Sequence, residues 1–388
     1  MTACSRHEDV SESNLSRAAS RNSHQSQPFG WLHLALLACI TGSGFAQANE
    51  AFISDDQPGC LATAACDGIC VTDQIPRPLD EGRGVLQELF APGCSECWVG
   101  QVDALMLWQG NIQSQPLFLD QSGGVALNAN QAQPPMSAGP RFGLARRLTE
   151  CDWIEGNYFR VESFAGKAVL PAGATPYTTT NLADLSFDDI QSASLQTSGR
   201  IQSAELNVRS CEGGLITWIG GFRWVEWNQQ ANVDYAFLNP DPFGSGNVAS
   251  QTGNNLYGGQ LGAELLLWDA GNRLKIKGIG KSGVFYNRAA YQQSTAGFVT
   301  STGEVFPLGS VAAAADQTAF VGEVGANASL CVTSWLTWRA GYTLFWLSGV
   351  AVPASQLPVT SFGDRTALVN TQGSVLLHGV TTGLEARW

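Results

Sequence analysis

The chain has 388 residues and a formal net charge of −12; 14% of its residues are charged and 43 are glycine. The low charged fraction is unusual for a water-soluble enzyme, and the acidic balance argues against nucleic acid as a partner, because phosphate backbones select basic surfaces. Hydrophobic residues make up 44% of the chain, yet its mean hydropathy is near zero. After residue 50 no apolar run approaches the roughly 18 residues of a membrane helix. Apolar and polar residues are therefore interleaved, which favours an all-β transmembrane barrel.

Residues 1–48 are predicted to be a leader that ends in a cleaved signal peptide. The apolar core at 31–40 is followed by Ala-Gln-Ala at 46–48, the small-x-small pattern that signal peptidase recognises. Two alternatives are a lipoprotein box that would acylate Cys39 and a buried helix of the mature protein. A cleaved signal predicts an exported chain that begins near Asn49 and resides in the outer membrane of a bacterial cell.

Residues 49–97 are expected to form a separate, acidic, Cys-rich periplasmic segment. Between Asn49 and Gly93 there are eight carboxylates and two arginines. The mature chain keeps an even number of cysteines, which in an exported protein indicates disulfides: these are Cys60, Cys66, Cys70, Cys94, Cys97, Cys151, Cys211 and Cys331. A zinc site or a redox pair at Cys94 and Cys97 are the alternatives, but no histidine lies nearby. We therefore expect neither a metal nor a cofactor.

From residue 98 onward, apolar side chains recur at every second position over stretches of about ten residues, as a tilted strand crossing a bilayer requires. Ten strands are predicted, at 98–108, 140–148, 154–167, 200–209, 214–227, 256–268, 273–287, 318–330, 336–347 and 376–388. Their connections alternate between short ones, at 149–153, 210–213, 269–272 and 331–335, and long ones, at 109–139, 168–199, 228–255, 288–317 and 348–375. The pattern predicts an antiparallel up-and-down barrel over 98–388, with short turns in the periplasm and long loops outside. A hairpin hidden near 233–237 would raise the strand number to twelve.

The predicted strands carry charged residues on the faces opposite to their apolar ones. Because a Lys or Arg facing lipid at mid-bilayer costs about 2–4 kcal/mol, we expect these side chains to face the lumen. They are Arg141, Arg160, Glu162, Glu205, Arg209, Arg223, Glu264, Lys275, Lys277, Lys281, Glu323, Arg339, Glu385 and Arg387. A ten-stranded barrel has little free interior, so we favour a filled core of paired charges over a path lined for anions.

The C-terminal strand contains a candidate assembly signal and the one histidine of the mature chain. Terminal Trp388, preceded by alternating apolar residues, resembles the signal that barrel-assembly machinery recognises, although a chance edge strand would look the same. We expect that machinery and outer-membrane lipid as partners. The mature chain has one histidine, His378, on the same face as Trp388 and thus outward or at the rim. Because a general base must lie beside a nucleophile or carboxylate, we expect no enzymatic activity.

Four short segments resemble a known family: 98–105 (WVGQVDAL), 220–224 (GGFRW), 255–262 (NLYGGQLG) and 383–388 (GLEARW). Their order is similar to that in the beta-barrel porin 7 family of planctomycete-type bacteria, and they span nearly all of the chain beyond residue 98. The resemblance implies an outer-membrane barrel and supplies no catalytic residues. It leaves three expected functions: a narrow porin, a structural barrel, or a cell-surface binding protein that acts through its long loops.

Overall fold

The computed structural model describes residues 98–388, apart from gaps at 111, 150, 174, 181, 183–185, 211–214, 240–242, 272, 300–304, 358–359, 362–363 and 365. The predicted leader and the Cys-rich segment, residues 1–97, lie outside the described residues. In the part of the chain that is described, no helix is long and apolar enough to cross a membrane.

The described residues are almost entirely β-structure. In chain order the strands are β1 (Trp98–Gln109), β2 (Pro116–Leu119), β3 (Val125–Asn128), β4 (Ser137–Arg147), β5 (Trp153–Val161), β6 (Gly166–Leu170), β7 (Thr178–Thr179), β8 (Ile190–Arg209), β9 (Ile216–Phe237), β10 (Phe243–Asp269), β11 (Leu274–Val299), β12 (Val305–Cys331), β13 (Leu336–Val350), β14 (Thr360–Ser361), β15 (Thr366–Ala367) and β16 (Gly373–Arg387). One 3₁₀ turn lies at Ala129–Gln131, and one short helix, α1, at Pro353–Gln356.

Ten strands close into a ring in the order β1, β4, β5, β8, β9, β10, β11, β12, β13, β16 and back to β1, and every neighbouring pair is antiparallel. The ring closes between β1 and β16, which pair from Val99–Arg387 to Gln109–Leu377. Trp98 and Trp388 add two backbone hydrogen bonds, with N···O distances of 2.9 and 3.1 Å. The prediction of an antiparallel up-and-down barrel with ten strands is confirmed.

The structure contradicts two of the predicted long loops, which are strands instead. The strands continue through 228–255 and 288–317: β9 pairs with β10 as far as Ala236–Ser245, and β11 pairs with β12 as far as Phe298–Val305. These stretches lack a clear apolar alternation because most of their outward positions are polar or alanine, whereas the backbone ladder does not depend on side-chain polarity. Residues 233–237, the alternative position for a hidden hairpin, are the end of β9.

The outward face changes from apolar to polar partway along the long strands. On β9 the outward side chains of Ile216, Trp218 and Phe222 are exposed and apolar, whereas Glu226 and the even-numbered positions from 228 to 234 are polar. Nine residues from 216 to 224 rise by about 23 Å in a strand tilted by about 40°, close to the height of a transmembrane barrel's apolar band. We call the strand segments beyond this band, 190–200, 226–237, 243–255, 288–299 and 305–318, the extension.

Aromatic side chains mark both ends of the apolar band. At the end that holds the chain termini, the outward Trp338 and Trp388 are exposed, and the Arg146 guanidinium lies 5.1 Å from the ring centre of Trp98. At the opposite end, Trp108 stacks on His378 with ring centroids 6.0 Å apart. Such girdles occur where barrel walls meet lipid headgroups.

Two apolar clusters fill the inside. The lumen cluster lies within the ring and consists of Leu105, Leu107, Phe159, Val161, Phe164, Ile201, Val225, Trp227, Leu256, Phe285, Ala319, Val321, Phe345, Leu347, Val350, Val352, Val375 and Leu377. The upper cluster lies inside the extension, where Leu117, Phe118 and Leu127 of β2 and β3 pack against Val233 and Val248 of the wall. The connections after β1, β5 and β13 therefore fold inward over the barrel.

Candidate functional site in the barrel interior

The strands β8, β9, β11 and β12 bring two carboxylates and two cations together in the lumen. We call Glu205, Arg223, Lys281 and Glu323 the ion quartet. The Arg223 Nη1 atom lies 2.7 Å from Glu323 Oε2 and 3.4 Å from Glu205 Oε1, and Lys281 Nζ lies 2.8 Å from Glu205 Oε2 and 3.1 Å from Glu323 Oε2. Each of the four side chains is only 2–4% exposed. The quartet is thus electrically neutral and nearly free of solvent.

Neutral side chains complete the hydrogen bonding of the quartet. Asn207 Nδ2 and Gln260 Nε2 donate to Glu205 Oε2 over 3.0 and 2.8 Å, and Arg223 Nε donates to Ser203 Oγ over 3.0 Å. Because desolvating a charge costs several kcal/mol, a buried ion pair persists only where partners and hydrogen bonds are this complete. The arrangement has no open coordination position or free nucleophile, so its chemistry is that of a packed electrostatic core.

A second, more accessible charge layer lies between the quartet and the end of the barrel where β1 begins. Glu264 is shared by Arg209 and Lys277, at N···O distances of 3.0 and 2.7 Å. Arg209 also contacts Glu155 at 3.2 Å. We call this end of the barrel the lower mouth.

At the other side of the lower mouth, Glu385 lies between Arg339 and Arg387, with N···O distances of 3.1 Å to each. Lys275 reaches Asp269 at the rim, 3.8 Å away. Arg141 faces inward beside Asp103, its register partner on β1. The structure therefore brings most of the charges singled out in the sequence into two adjoining layers.

Two of the charges predicted to face the lumen do not face it. Phe159 and Val161 of β5 point into the lumen cluster, so Arg160 and Glu162 point outward, where they form an exposed ion pair with each other. The prediction was wrong because it assumed that every strand charge must face the lumen, whereas both side chains of this pair are exposed on the outward face. The pair lies at the polar side of the outward band, next to Tyr158 and Gln202.

The lumen cluster lies directly above the quartet and closes the barrel. The Arg223 guanidinium lies 5.4 Å from the ring centre of Phe345, which belongs to the cluster. Trp227 is fully buried and meets Phe164 edge to face, with ring centroids 5.7 Å apart. Because Phe164 comes from the connection after β5, part of the cluster is supplied by an inward-folded segment.

A strap from the connection after β13 completes the closure, and two buried asparagines hold it. Gly349 has φ of +80° and turns the chain into the barrel. Asn254 of β10 accepts from the Ala351 N–H at 2.7 Å and donates to the Ala351 carbonyl at 2.8 Å, while Asn287 of β11 donates to the Gly349 carbonyl at 2.9 Å. The strap, residues 349–357, thereby brings Val350 and Val352 into the lumen cluster.

Sequence reasoning missed these asparagines. Both lie at or beyond the edge of the predicted strands, and Asn254 precedes a second asparagine, Asn255, on the opposite face. A strand continuing through 243–269 is needed to decide that Asn254 points inward. Only the register of that strand could have identified it.

A small cavity of about 50 Å³ lies between the two apolar clusters. Its wall is mixed, with Gln109, Gln229 and Ser250 beside apolar side chains such as Phe164. The Ser250 side chain is buried in this wall.

Elsewhere in the extension, burial raises the pKa of the Tyr235 phenol to about 12, so Tyr235 keeps its proton at neutral pH.

The remaining candidate residues lie away from the lumen. His378 points outward, and its Nδ1 atom lies 2.7 Å from the Tyr342 hydroxyl. Trp388 pairs with β1, and its proposed recognition by assembly machinery remains a prediction. Within the described ranges, no three His, Cys, Asp or Glu side chains come together as a possible metal site.

Only two of the predicted disulfide cysteines lie in the described residues. Cys151 is in the turn between β4 and β5, and Cys331 ends β12. β1 and β16 separate these two turns around the ring. Cys60, Cys66, Cys70, Cys94, Cys97 and Cys211 lie outside the described residues, and the pairing remains a prediction.

The geometry defines a closed, up-and-down β-barrel with a filled interior. No family description matches the chain, and no curated protein matches it. The resemblance to the porin 7 family therefore remains an expectation.

Solved structures to which the chain is similar include an outer membrane protease, an autotransporter domain and a toluene transporter. The outer membrane protease OmpT of Escherichia coli is 11% identical, with 76% of this chain and 95% of that chain covered and a TM-score of 0.37. The translocator domain of the autotransporter NalP from Neisseria meningitidis is 11% identical over 78% and 92%, with a TM-score of 0.33. The toluene transporter TodX of Pseudomonas putida is 9% identical over 77% and 90%, with a TM-score of 0.27. Likenesses this distant carry no argument about function.

Proposed function

We propose that this protein is an outer-membrane barrel that conducts no solutes and holds its extension at the cell surface. The outward apolar band, its aromatic girdles and the predicted export signal support the location. The observation that carries the proposal is the lumen cluster, in which eighteen buried apolar residues occupy the space that a porin would leave open to water. The ion quartet forms a second layer, also nearly free of solvent, that blocks the same lumen.

We favour a structural barrel over a porin because the lumen lacks the features that conduction requires. A pore must offer a solute a continuous polar path of weak sites. Here the charged layers end at Phe345 and Trp227, both of which are buried. The charges below them are already paired with one another, so they support a structural interior rather than an anion path.

The direct test is electrical. We expect the purified mature chain, reconstituted in planar lipid bilayers, to show no discrete current steps in 1 M KCl. A porin of known conductance reconstituted in the same way is the positive control. Recurrent steps of one size from several independent preparations would refute the closed barrel and support the porin alternative.

Cell-surface binding is a second candidate function, and the cavity favours it. Its wall combines apolar groups with the amides of Gln109 and Gln229 and the buried Ser250 hydroxyl, a lining suited to a small neutral molecule. The inward packing of the connections on the upper cluster gives the extension a fixed surface. Both candidate functions require the extension to lie outside the cell.

Tag insertion tests that orientation. We expect a protease site inserted after Asn239, between β9 and β10, to be cleaved on intact cells, because this connection lies at the far end of the extension. The matched insertion after Ala270, in the turn between β10 and β11, should be cleaved only after the outer membrane is opened. Cleavage of the Ala270 insertion on intact cells would reverse the proposed orientation and exclude surface binding by the extension.

A further inference from the structure

The cavity between the lumen cluster and the upper cluster has a wall without charge. None of the described side chains that line it is charged, and its apolar part includes Leu117, Phe164, Val233, Val248 and Val352. An ion that entered would lose its hydration and find no counter-charge. The wall therefore selects an uncharged group.

Two glutamines in this wall have side-chain amides that are open to a ligand. Gln109, the last residue of β1, is only 3% exposed, and its backbone carbonyl accepts from Gln133 Nε2 at 3.1 Å. Neither its side-chain amide nor that of Gln229 on β9 has a hydrogen-bond partner among the described residues, although both residues line the cavity. A primary amide both donates and accepts, and leaving a buried one without partners is unfavourable. A group that accepts and donates at once would satisfy it.

The size of the cavity restricts that group further. Its volume of about 50 Å³ holds roughly three to five water molecules, and therefore a group of about four non-hydrogen atoms. An acetamido group has this size, and it combines a methyl with a carbonyl acceptor and an N–H donor. Gln113 also lines the cavity and is exposed, so the cavity reaches the surface of the extension there. The rest of a larger molecule would remain outside this opening.

We propose that the cavity binds an acetamido group, as free acetamide or as the acetamido group of an N-acetylated sugar whose ring lies outside the opening. The methyl packs on the apolar wall, and the amide pairs with that of Gln109. This inference rests on the surface-binding candidate function and names its ligand. The insertion experiment tests the orientation of the extension by itself, so a wrong ligand and a wrong orientation give different results.

The test uses the purified mature chain in deuterated detergent micelles and saturation-transfer proton NMR. The acetyl methyl signals of N-acetylglucosamine and of acetamide are followed in separate titrations, with empty micelles as the background. We expect a saturable signal with a Kd in roughly the millimolar range, because so few atoms are buried. Glucosamine, glucose and acetate should compete at least about tenfold less well. A signal from acetamide alone would assign the cavity to the free amide.

Two cavity variants locate the binding. Gln109→Leu removes the amide at similar size and should weaken binding about tenfold. Ala231→Leu places a larger side chain in the cavity and should abolish the signal. Gln251→Leu and Ala249→Leu make the same changes on the outward face of β10 and should alter the affinity less than twofold.

Heat-modifiable mobility on gels verifies that each variant is folded. The absence of a signal from both probes would overturn the proposal. Equal competition by glucose, glucosamine or acetate would also overturn it, because the site would then not recognise the acetamido group. Unaltered binding in either folded cavity variant would place the ligand elsewhere and overturn it as well.

Discussion

Replacing Arg223 with Met is expected to lower the free energy of unfolding by about 3–5 kcal/mol, because it removes one cation from between two buried carboxylates. Glu205 and Glu323 would then share the single cation Lys281 within a solvent-free layer. Met fills much of the lost volume, so the loss of stability would come from charge rather than from a cavity. Urea unfolding in detergent micelles, followed by heat-modifiable gel mobility and by tryptophan fluorescence, measures the effect.

Arg200→Met is the matched control for this substitution. Arg200 forms an ion pair with Glu226 at 2.8 Å, but its side chain is 46% exposed on the outward face of the extension. Exposed pairs contribute about 0–1 kcal/mol. Equal destabilisation by the two substitutions would show that the quartet is no more important than a surface pair and would contradict its role as a closing layer.

Replacing Asn254 with Ala is expected to cost about 3 kcal/mol, because the strap would lose both of its backbone hydrogen bonds to this side chain. The Ala351 N–H and carbonyl would remain buried without these partners, and each such group costs about 1–3 kcal/mol. The strap should also become a substrate for protease, since Val350 and Val352 would no longer be held in the lumen cluster. Urea unfolding and limited proteolysis between 349 and 372 measure the two effects.

Asn247→Ala provides the control for the strap, since Asn247 lies on the same strand and its side chain bonds to Asp234 on the outward face. A surface substitution of this kind changes stability by about 0.5 kcal/mol or less. A strap that resists protease equally in both variants would mean that apolar packing alone holds it. In that case the asparagine clamp would not be what fixes the closure.

The ion quartet shows why the sequence alone could not decide between a filled core and a conducting lumen. Inward charges on the strands could form either a filled core or an anion path, because pairing depends on which strands become neighbours. Lys281 and Glu205 are 76 residues apart, and Arg223 and Glu323 are 100 apart. Ring closure places them within hydrogen-bonding distance, and no local pattern in the sequence contains that information.

The sequence by itself determined the class of fold and the ten strands that form the ring. The period of two in Ile216–Trp224 is a local property, set by the alternation of side chains across a strand and by the contrast between the inside and the outside of the barrel. The same local rule is sufficient to predict that Arg223 and Lys281 face inward. It also identifies the terminal strand, which closes the ring against β1.

Only the tertiary structure decided how far the strands extend and what fills the barrel. In 228–255 and 288–317 most outward positions are polar or alanine, so the pattern predicts loops, although the backbone ladder between β9, β10, β11 and β12 continues. Arg160 and Glu162 were misplaced because the face of each β5 residue is set by its pairing with β8, in which Val161 opposes the buried Ile201 and Arg160 opposes Gln202 on the other face. The strap enters the lumen because Asn254 and Asn287, on two neighbouring strands, bind backbone groups 97 and 62 residues away. Such contacts depend on register between distant segments, which alternation within one strand does not encode.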